Sequence, residues 1–130
     1  MAVFYNRIER GNPANPKAPK KWYVALKSLG LVRERAVAKQ IAAGTTLSAK
    51  DAELALGQLN KVVANNLLSG HTVQLGDIGS LYLVVTSLGS ENKEEVSAVN
   101  NVTRISIRFK PSRVLQDAVD NAQFKALDDY

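Results

Sequence analysis

The sequence predicts an α+β fold: a helical hairpin, a three-stranded antiparallel sheet with a long polar excursion between its last two strands, and a C-terminal helix, preceded by two extra short strands. Three observations carry that reading. Apolar residues recur at helical spacing from Leu31 to Gly70, and the period drops to two beyond Gly70. Pro111 then stops a strand that Ser112 turns at once into a helix.

Residues 2–9, AVFYNRIE, alternate loosely and carry three β-favouring residues in a row, which predicts a short strand. GNPANPKAPK follows, with three prolines in seven residues; it reads as an extended, irregular loop, because proline removes donors and biases its predecessor away from helix. Lys21 to Ser28 reads as a second strand, with Trp22, Val24 and Leu26 on one face.

From Leu31 to Gly44 the spacing of Val32, Ala36, Val37 and Ile41 predicts a helix that Gly44 closes. The next helix is the clearest element. Ser48 is its N-cap with Asp51 three residues on, Ala52, Leu56, Leu59, Val63 and Leu67 form its apolar stripe, and Gly70 follows its end. Only a few residues join the two helices, so they pair as a hairpin.

HTVQL, the bend GDIG and SLYLVVTS then read as strand, turn, strand, with Leu81, Leu83 and Val85 on one face. Gly76 and Gly79 supply backbone angles that β-branched residues avoid, so the chain reverses tightly while Ile78 is left for the core. Leu88 to Asn101 is polar and aperiodic, with few residues that favour strand. VTRISIRF is the last strand of the sheet, Ile105, Ile107 and Phe109 facing one way and Arg104, Ser106 and Arg108 the other. Ser112 caps a helix carrying Val114, Leu115, Ala118 and Val119, which the pattern extends through Phe124 and Leu127 before an acidic end. The boundaries suggested are an N-terminal extension over 1–30, a main domain over 31–120 and a helical, acidic tail over 121–130.

At 130 residues and 14.1 kDa there is room for one domain and little more. Absence of cysteine excludes a disulfide framework and a cysteine zinc site. The N-terminus lacks a basic start and an apolar core, and no apolar run approaches the roughly 18 residues of a bilayer span, so a cytoplasmic protein without membrane association is expected. Charge is unevenly distributed. Residues 1–50 hold ten Lys or Arg against Glu9 and Glu34, whereas residues 51–130 hold seven basic and ten acidic side chains. A basic half of this kind favours an anionic partner, nucleic acid being the commonest.

TTLSAKDAELAL, HTVQLGDIGSLYL and RFKPSRVLQDAV, in this order and spacing, resemble the corresponding segments of the bacterial HU/IHF family of histone-like DNA-binding proteins. FKPSRVLQDAV against the family's Phe-Lys-Pro-Gly-Lys pattern is the most specific piece, and DIGSLYL resembles its Gly-Phe-Gly turn. The likeness runs from about Leu31 to Val119; the first thirty residues resemble the N-terminal extension of a divergent HU-like group. The resemblance implies an HU/IHF-like intertwined homodimer in which helical hairpins form a base, sheets form a saddle, and a pair of β-arms reaches around double-stranded DNA. It implies a nucleoid-associated protein that binds phosphates and deforms the duplex, with little base readout. Amphipathicity supports the dimer separately, since two helices and three strands expose more apolar face than one chain of this connectivity covers. A monomer whose N-terminal strands cover that face is the alternative.

One segment departs from the family. Its arm tip carries Arg-Asn-Pro in an Arg-rich ribbon, whereas Leu88 to Asn101 here holds Glu91, Glu94, Glu95 and Lys93 and no proline. An acidic tip is repelled by phosphate, which disfavours minor-groove entry. The candidate DNA contacts therefore lie elsewhere. Arg104 and Arg108 alternate onto one strand face. Lys110 and Arg113 match basic positions of the family's Phe-Lys-Pro-Gly-Lys segment, near a helix N-terminus, and Gln116 stands at its next basic position. Arg33 and Arg35 open the first helix, and Lys17, Lys20 and Lys21 add a cluster in and after the proline loop. His71, following a helix end, reads as a surface residue; Trp22 and Tyr23 read first as sheet-face or core residues. Glu94 with Glu95 and Asp128 with Asp129 are sequence neighbours that point apart, and no phosphate-cradling or nucleophile-elbow motif occurs. No catalytic residue, cofactor, metal or small-molecule substrate is expected. A protein-interaction or assembly module on the same fold, with DNA binding lost or weak, is the competing reading.

Overall fold

The structure is a computed structural model that describes residues 1–127. Its elements run β1 (Val3–Arg10), β2 (Lys21–Leu26), α1 (Glu34–Ala43), α2 (Ala49–Leu68), β3 (Val73–Gln74), β4 (Gly79–Ser87), α3 (Ala98–Asn101), β5 (Val102–Pro111), α4 (Arg113–Asp120) and β6 (Phe124–Ala126). They fall into two units, Met1–Arg33 with the chain from Ala118 on, and Glu34–Asp117. The α+β class is as the sequence predicts.

In the first unit, β2 pairs antiparallel with β1, and β1 pairs parallel with β6, giving the order β2-β1-β6. The tail is thus a strand where the apolar spacing predicts a continued helix. The chain leaves α4 at Asp120, and β1 offers an unpaired edge whose Val3 amide bonds the carbonyl of Gln123 at 2.7 Å. Pairing on that edge satisfies the tail's backbone, and Ala126 is buried there. Asp128 and Asp129, the acidic end, lie outside the described residues. The proline loop is also more regular than predicted. Asn12–Asn15 and Asn15–Ala18 form two successive turns, each closed by an amide-to-carbonyl bond of 3.1 or 3.0 Å. In each, the asparagine side chain accepts from the amide two residues on, at 2.9 Å from Ala14 and 3.3 Å from Lys17. An Asn-Pro pair preorganises such a turn, because proline presets the dihedral and the asparagine side chain bonds locally.

In the second unit, α1 and α2 form the hairpin. Each helix buries a small residue, Ala38 of α1 and Ala52 of α2. Helix α1 begins at Glu34, three residues later than the pattern predicts: no capping side chain precedes Leu31, whereas the Glu34 carboxylate favours the positive end of a helix. Thr45, not a left-handed glycine, closes it, its hydroxyl donating to the Ile41 carbonyl at 2.8 Å. Ser48 caps α2 by accepting from the Asp51 amide at 3.1 Å. Gly70, at φ +88°, ends α2 with His71 donating to Asn66 and Gly70 to Leu67, both at 3.0 Å, the paired bonds of a Schellman cap. The sheet β3-β4-β5 is antiparallel throughout.

The fully buried apolar residues among those described are Ala38, Ala52, Leu67 and Ala126, and no large side chain is completely enclosed. Ile78, expected in the core, is exposed; its backbone is what the turn uses. Among the described residues no helix is long and apolar enough to cross a membrane, and no cluster of His, Asp or Glu could hold a metal ion.

Candidate nucleic-acid interface

Register decides which side chains share a face of β4–β5. Leu81 pairs with Phe109, Leu83 with Ile107 and Val85 with Ile105, so one face is wholly apolar. The intervening pairs are Ser80 with Lys110, Tyr82 with Arg108, Val84 with Ser106 and Thr86 with Arg104. Arg104, Arg108 and Lys110 therefore line the opposite face as a single stripe, Arg108 and Lys110 about 7 Å apart along the strand and Arg104 about 14 Å from Arg108. Ser80, Tyr82 and Thr86 interleave hydroxyls with these cations, and Gln74 joins the face through its pairing with Ser80. The stripe holds no carboxylate.

Two pieces of local chemistry anchor the end of the stripe that carries Lys110. The Leu75–Ile78 turn has Gly76 at φ +56° and is closed by an Ile78-to-Leu75 bond of 3.1 Å. Gly79, at φ +149°, pairs with Pro111, and a Cβ there would collide with the Lys110 carbonyl and lie 2.8 Å from the Phe109 ring. Ser112 ties the two segments together. Its amide donates to the Ile78 carbonyl at 3.0 Å, its hydroxyl donates to the Asp77 carbonyl, and the same hydroxyl oxygen accepts from the Leu115 amide at 3.0 Å. The glycine turn and the proline stop thus form one clamp, which sets Lys110 at the strand end and Arg113 in the first turn of α4.

The remaining candidates are dispersed. Arg113 faces Asp117 one helical turn on, at 3.9 Å, and Arg35 faces Glu53 of α2 at 3.9 Å; all four side chains are substantially exposed, so these pairs hold the cations loosely. Arg33 precedes α1 rather than opening it, and belongs to the first unit with Lys17, Lys20 and Lys21. The strand ladder ends at Ser87–Val102 after a bulge, and the intervening residues form a folded cap with a short turn of helix at Lys93–Glu95 and then α3. Asn101, 5% exposed, knits that cap, donating to the Leu88 carbonyl at 2.8 Å and the Ser90 hydroxyl at 2.9 Å and accepting from the Ser97 amide at 3.0 Å.

His71 has more company than its sequence position suggests. With Thr72, Ser80, Tyr82 and Lys110 it lines a groove of about 430 Å³. Counting the pairs back from Pro111 opposite Gly79 would have placed Tyr82 beside Arg108, but His71 lies beyond the ladder and sequence gave no sign of it.

A search of curated proteins gave no match. Among solved structures, the fold is similar to a candidate DNA-binding protein of Bacteroides vulgatus ATCC 8482, with TM-score 0.67, 12% identity and 97% of this chain covered. The chain spans 48% of that protein's length. It is also similar to HU of Anabaena in a cocrystal with DNA, with TM-score 0.53 and 15% identity over 68% of this chain and 98% of the other. The model of the HU-HIG family, described as an HU domain fused to a wHTH, Ig or glycine-rich motif, matches residues 1–126, and the chain belongs to that family.

Proposed function

We propose that this chain is a non-enzymatic, nucleoid-associated protein that binds double-stranded DNA as a homodimer, mainly through phosphates, and helps to organise or bend it. The observation that carries the reading is the two-faced β4–β5 sheet. One face presents Arg104, Arg108 and Lys110 without an acid; the other presents apolar side chains that a second copy would cover. Ile107 is 63% exposed and Leu68 of α2 82% exposed, and Ala64, Leu67, Leu83 and Ile105 line a groove of about 350 Å³ with them. The cations of the first face neutralise duplex phosphates and release the counterions condensed on them. Arg113 adds to this floor, Arg35 supplies a further contact from α1, and Lys17, Lys20, Lys21 and Arg33 contribute from the N-terminal unit. The Anabaena complex supports the ligand class.

A salt titration of duplex binding tests it. Four cations per chain, Arg104, Arg108, Lys110 and Arg113, make eight per dimer and by themselves give log affinity against log salt a slope near −7, which the contacts from Arg33, Arg35 and the proline-loop lysines are expected to steepen in the full chain. Combined Arg108→Glu, Lys110→Glu and Arg113→Glu is expected to abolish duplex binding; retained affinity would remove these residues from the interface.

A second reading has its own observation. Trp22, Val24, Leu26 and Phe124 share one face of the β2-β1-β6 sheet and all are exposed, Trp22 by 67%. Self-assembly through that face, with the acidic arm end turned from DNA, would make the chain an assembly module. Solution mass of Trp22→Ser and Leu26→Ser variants separates the readings: loss of dimer there, with Ile107→Asp still dimeric, would favour assembly through the N-terminal sheet.

A further inference from the structure

We propose that the closed end of the β1–β2 hairpin is a separate site for single-stranded nucleic acid, in which Arg10 and Lys21 hold the phosphates and Tyr23 stacks an unpaired base. The proposal rests on the reading above for its ligand class and shares Lys20 and Lys21 with it, but it turns on Arg10 and Tyr23, which that reading does not use, so the two can fail independently.

Three observations converge on the hairpin. Arg10 and Lys21 are directly paired across β1 and β2, an arrangement that sets like charges about 5 Å apart at their Cβ atoms and destabilises a sheet. Among the described residues neither cation is in an ion pair: no Asp or Glu occurs between Glu9 and Glu34, and Glu9, one residue from Arg10, points to the opposite face. An anion held between the two cations would offset this repulsion, and a local rule broken in this way is what a functional site shows.

Tyr23 is two residues beyond Lys21, hence on the same face, and is 48% exposed opposite the half-buried Ile8. A half-exposed ring beside an apolar neighbour suits a stacking platform. Finally, Asn12 and Pro13 of the doubled Asn-Pro turn and Pro19 just after it line, with Arg10, Lys21 and Tyr23, a cleft of about 720 Å³. That volume lies within the range of about 300–1,000 Å³ typical of small-ligand clefts, and the proline turns hold it open before any ligand arrives.

Shape selects the strand. The base faces of a duplex are hidden in the stack, whereas a single strand offers phosphate and free base together. An acidic peptide would satisfy Arg10 and Lys21 but leave Tyr23 and the proline walls without a planar partner. Lys20, whose side chain lies 3.9 Å from the Cβ position of Gly11 in the cleft lining, adds a further cation.

The test uses the full chain and a labelled thymidine oligomer of about ten nucleotides, a length within the range that single-strand sites cover. Tyr23→Ala is expected to weaken oligomer binding about tenfold and Tyr23→Phe to restore it, with duplex affinity unchanged in both. Arg10→Ala with Lys21→Ala is expected to flatten the salt dependence of oligomer binding by about 1.4. Bromodeoxyuridine in the oligomer is expected to photocrosslink to Tyr23 of the unaltered protein, a readout independent of variant folding. Arg108→Glu with Lys110→Glu is expected to remove duplex binding and leave oligomer binding intact. Unchanged oligomer affinity in Tyr23→Ala, equal damage from Tyr23→Phe, crosslinks confined to Tyr82, or displacement by polyglutamate as effective as by unlabelled oligomer would each overturn the proposal. Loss of oligomer binding in the Arg108 and Lys110 variant would do the same, whereas unchanged duplex binding there would count only against the β4–β5 reading.

Discussion

Gly79 is where a single residue governs the most structure. Its dihedral lies in the left-handed half of the map and its missing side chain leaves room for the Lys110 backbone and the Phe109 ring. Gly79→Ala is expected to destabilise the chain by about 3 kcal/mol or more, read as a lowered midpoint in denaturant, because strain and overlap act together. Gly76→Ala is expected to cost less, since only its dihedral of +56° is at stake and nothing lies within 4 Å of its Cβ position. The two glycines were legible in sequence as a turn; the difference between them was not, because it depends on what β5 presses against. Asn101 was illegible altogether. In a polar, aperiodic segment it looks like any other asparagine, yet its burial and three side-chain hydrogen bonds hold the arm end together. Asn101→Ala is expected to cost about 1–3 kcal/mol, with loss of amide protection confined to residues 88–101 if the cap melts alone.

At the scale of elements, legibility follows the range of the forces involved. Caps act within four residues, so the Ser48 start and the Gly70 end of α2 are readable from spacing alone. The strand β6 is set by an edge more than a hundred residues away in sequence, and the helical period of its apolar residues points the wrong way. The β4–β5 face lies between these extremes: strand alternation told that Arg104 and Arg108 share a side, and the register added Lys110, Tyr82 and Ser80. Ser112 is the element-scale hinge of this arrangement, since it both caps α4 and accepts the task of fastening the glycine turn. Ser112→Ala is expected to lower stability by about 1–2 kcal/mol, the upper part of the range for an N-cap, because the Asp77 carbonyl loses its donor as well. Ser112→Thr keeps the hydroxyl and is expected to recover most of that loss, which thermal unfolding of the two variants would show.

The scarcity of enclosed apolar side chains matters for the whole molecule. Alanines and one leucine supply the fully buried apolar positions, while large aliphatic residues on β4, β5 and α2 stay exposed in the single chain. Burial at about 25 cal/mol per Å² cannot offset chain entropy from so small a core, so the second unit is expected to need a partner for stability. The termini add a constraint of their own. Because β6 returns to pair with β1, removing residues 1–30 leaves Phe124–Ala126 without its strand partner and exposes an unpaired edge, whereas removing both termini takes the sheet away whole. A fragment of residues 31–120 retains α1 through α4 and every cation of the β4–β5 face. It is expected to remain a dimer by solution mass and to bind duplex with a slope of about −7 or steeper, while a fragment of residues 31–130 is expected to aggregate. If the shorter fragment is monomeric and unfolded while the full chain is dimeric, the N-terminal sheet completes the core of the other unit, and the cationic face would then have to be sought in an assembly held together by residues 1–30.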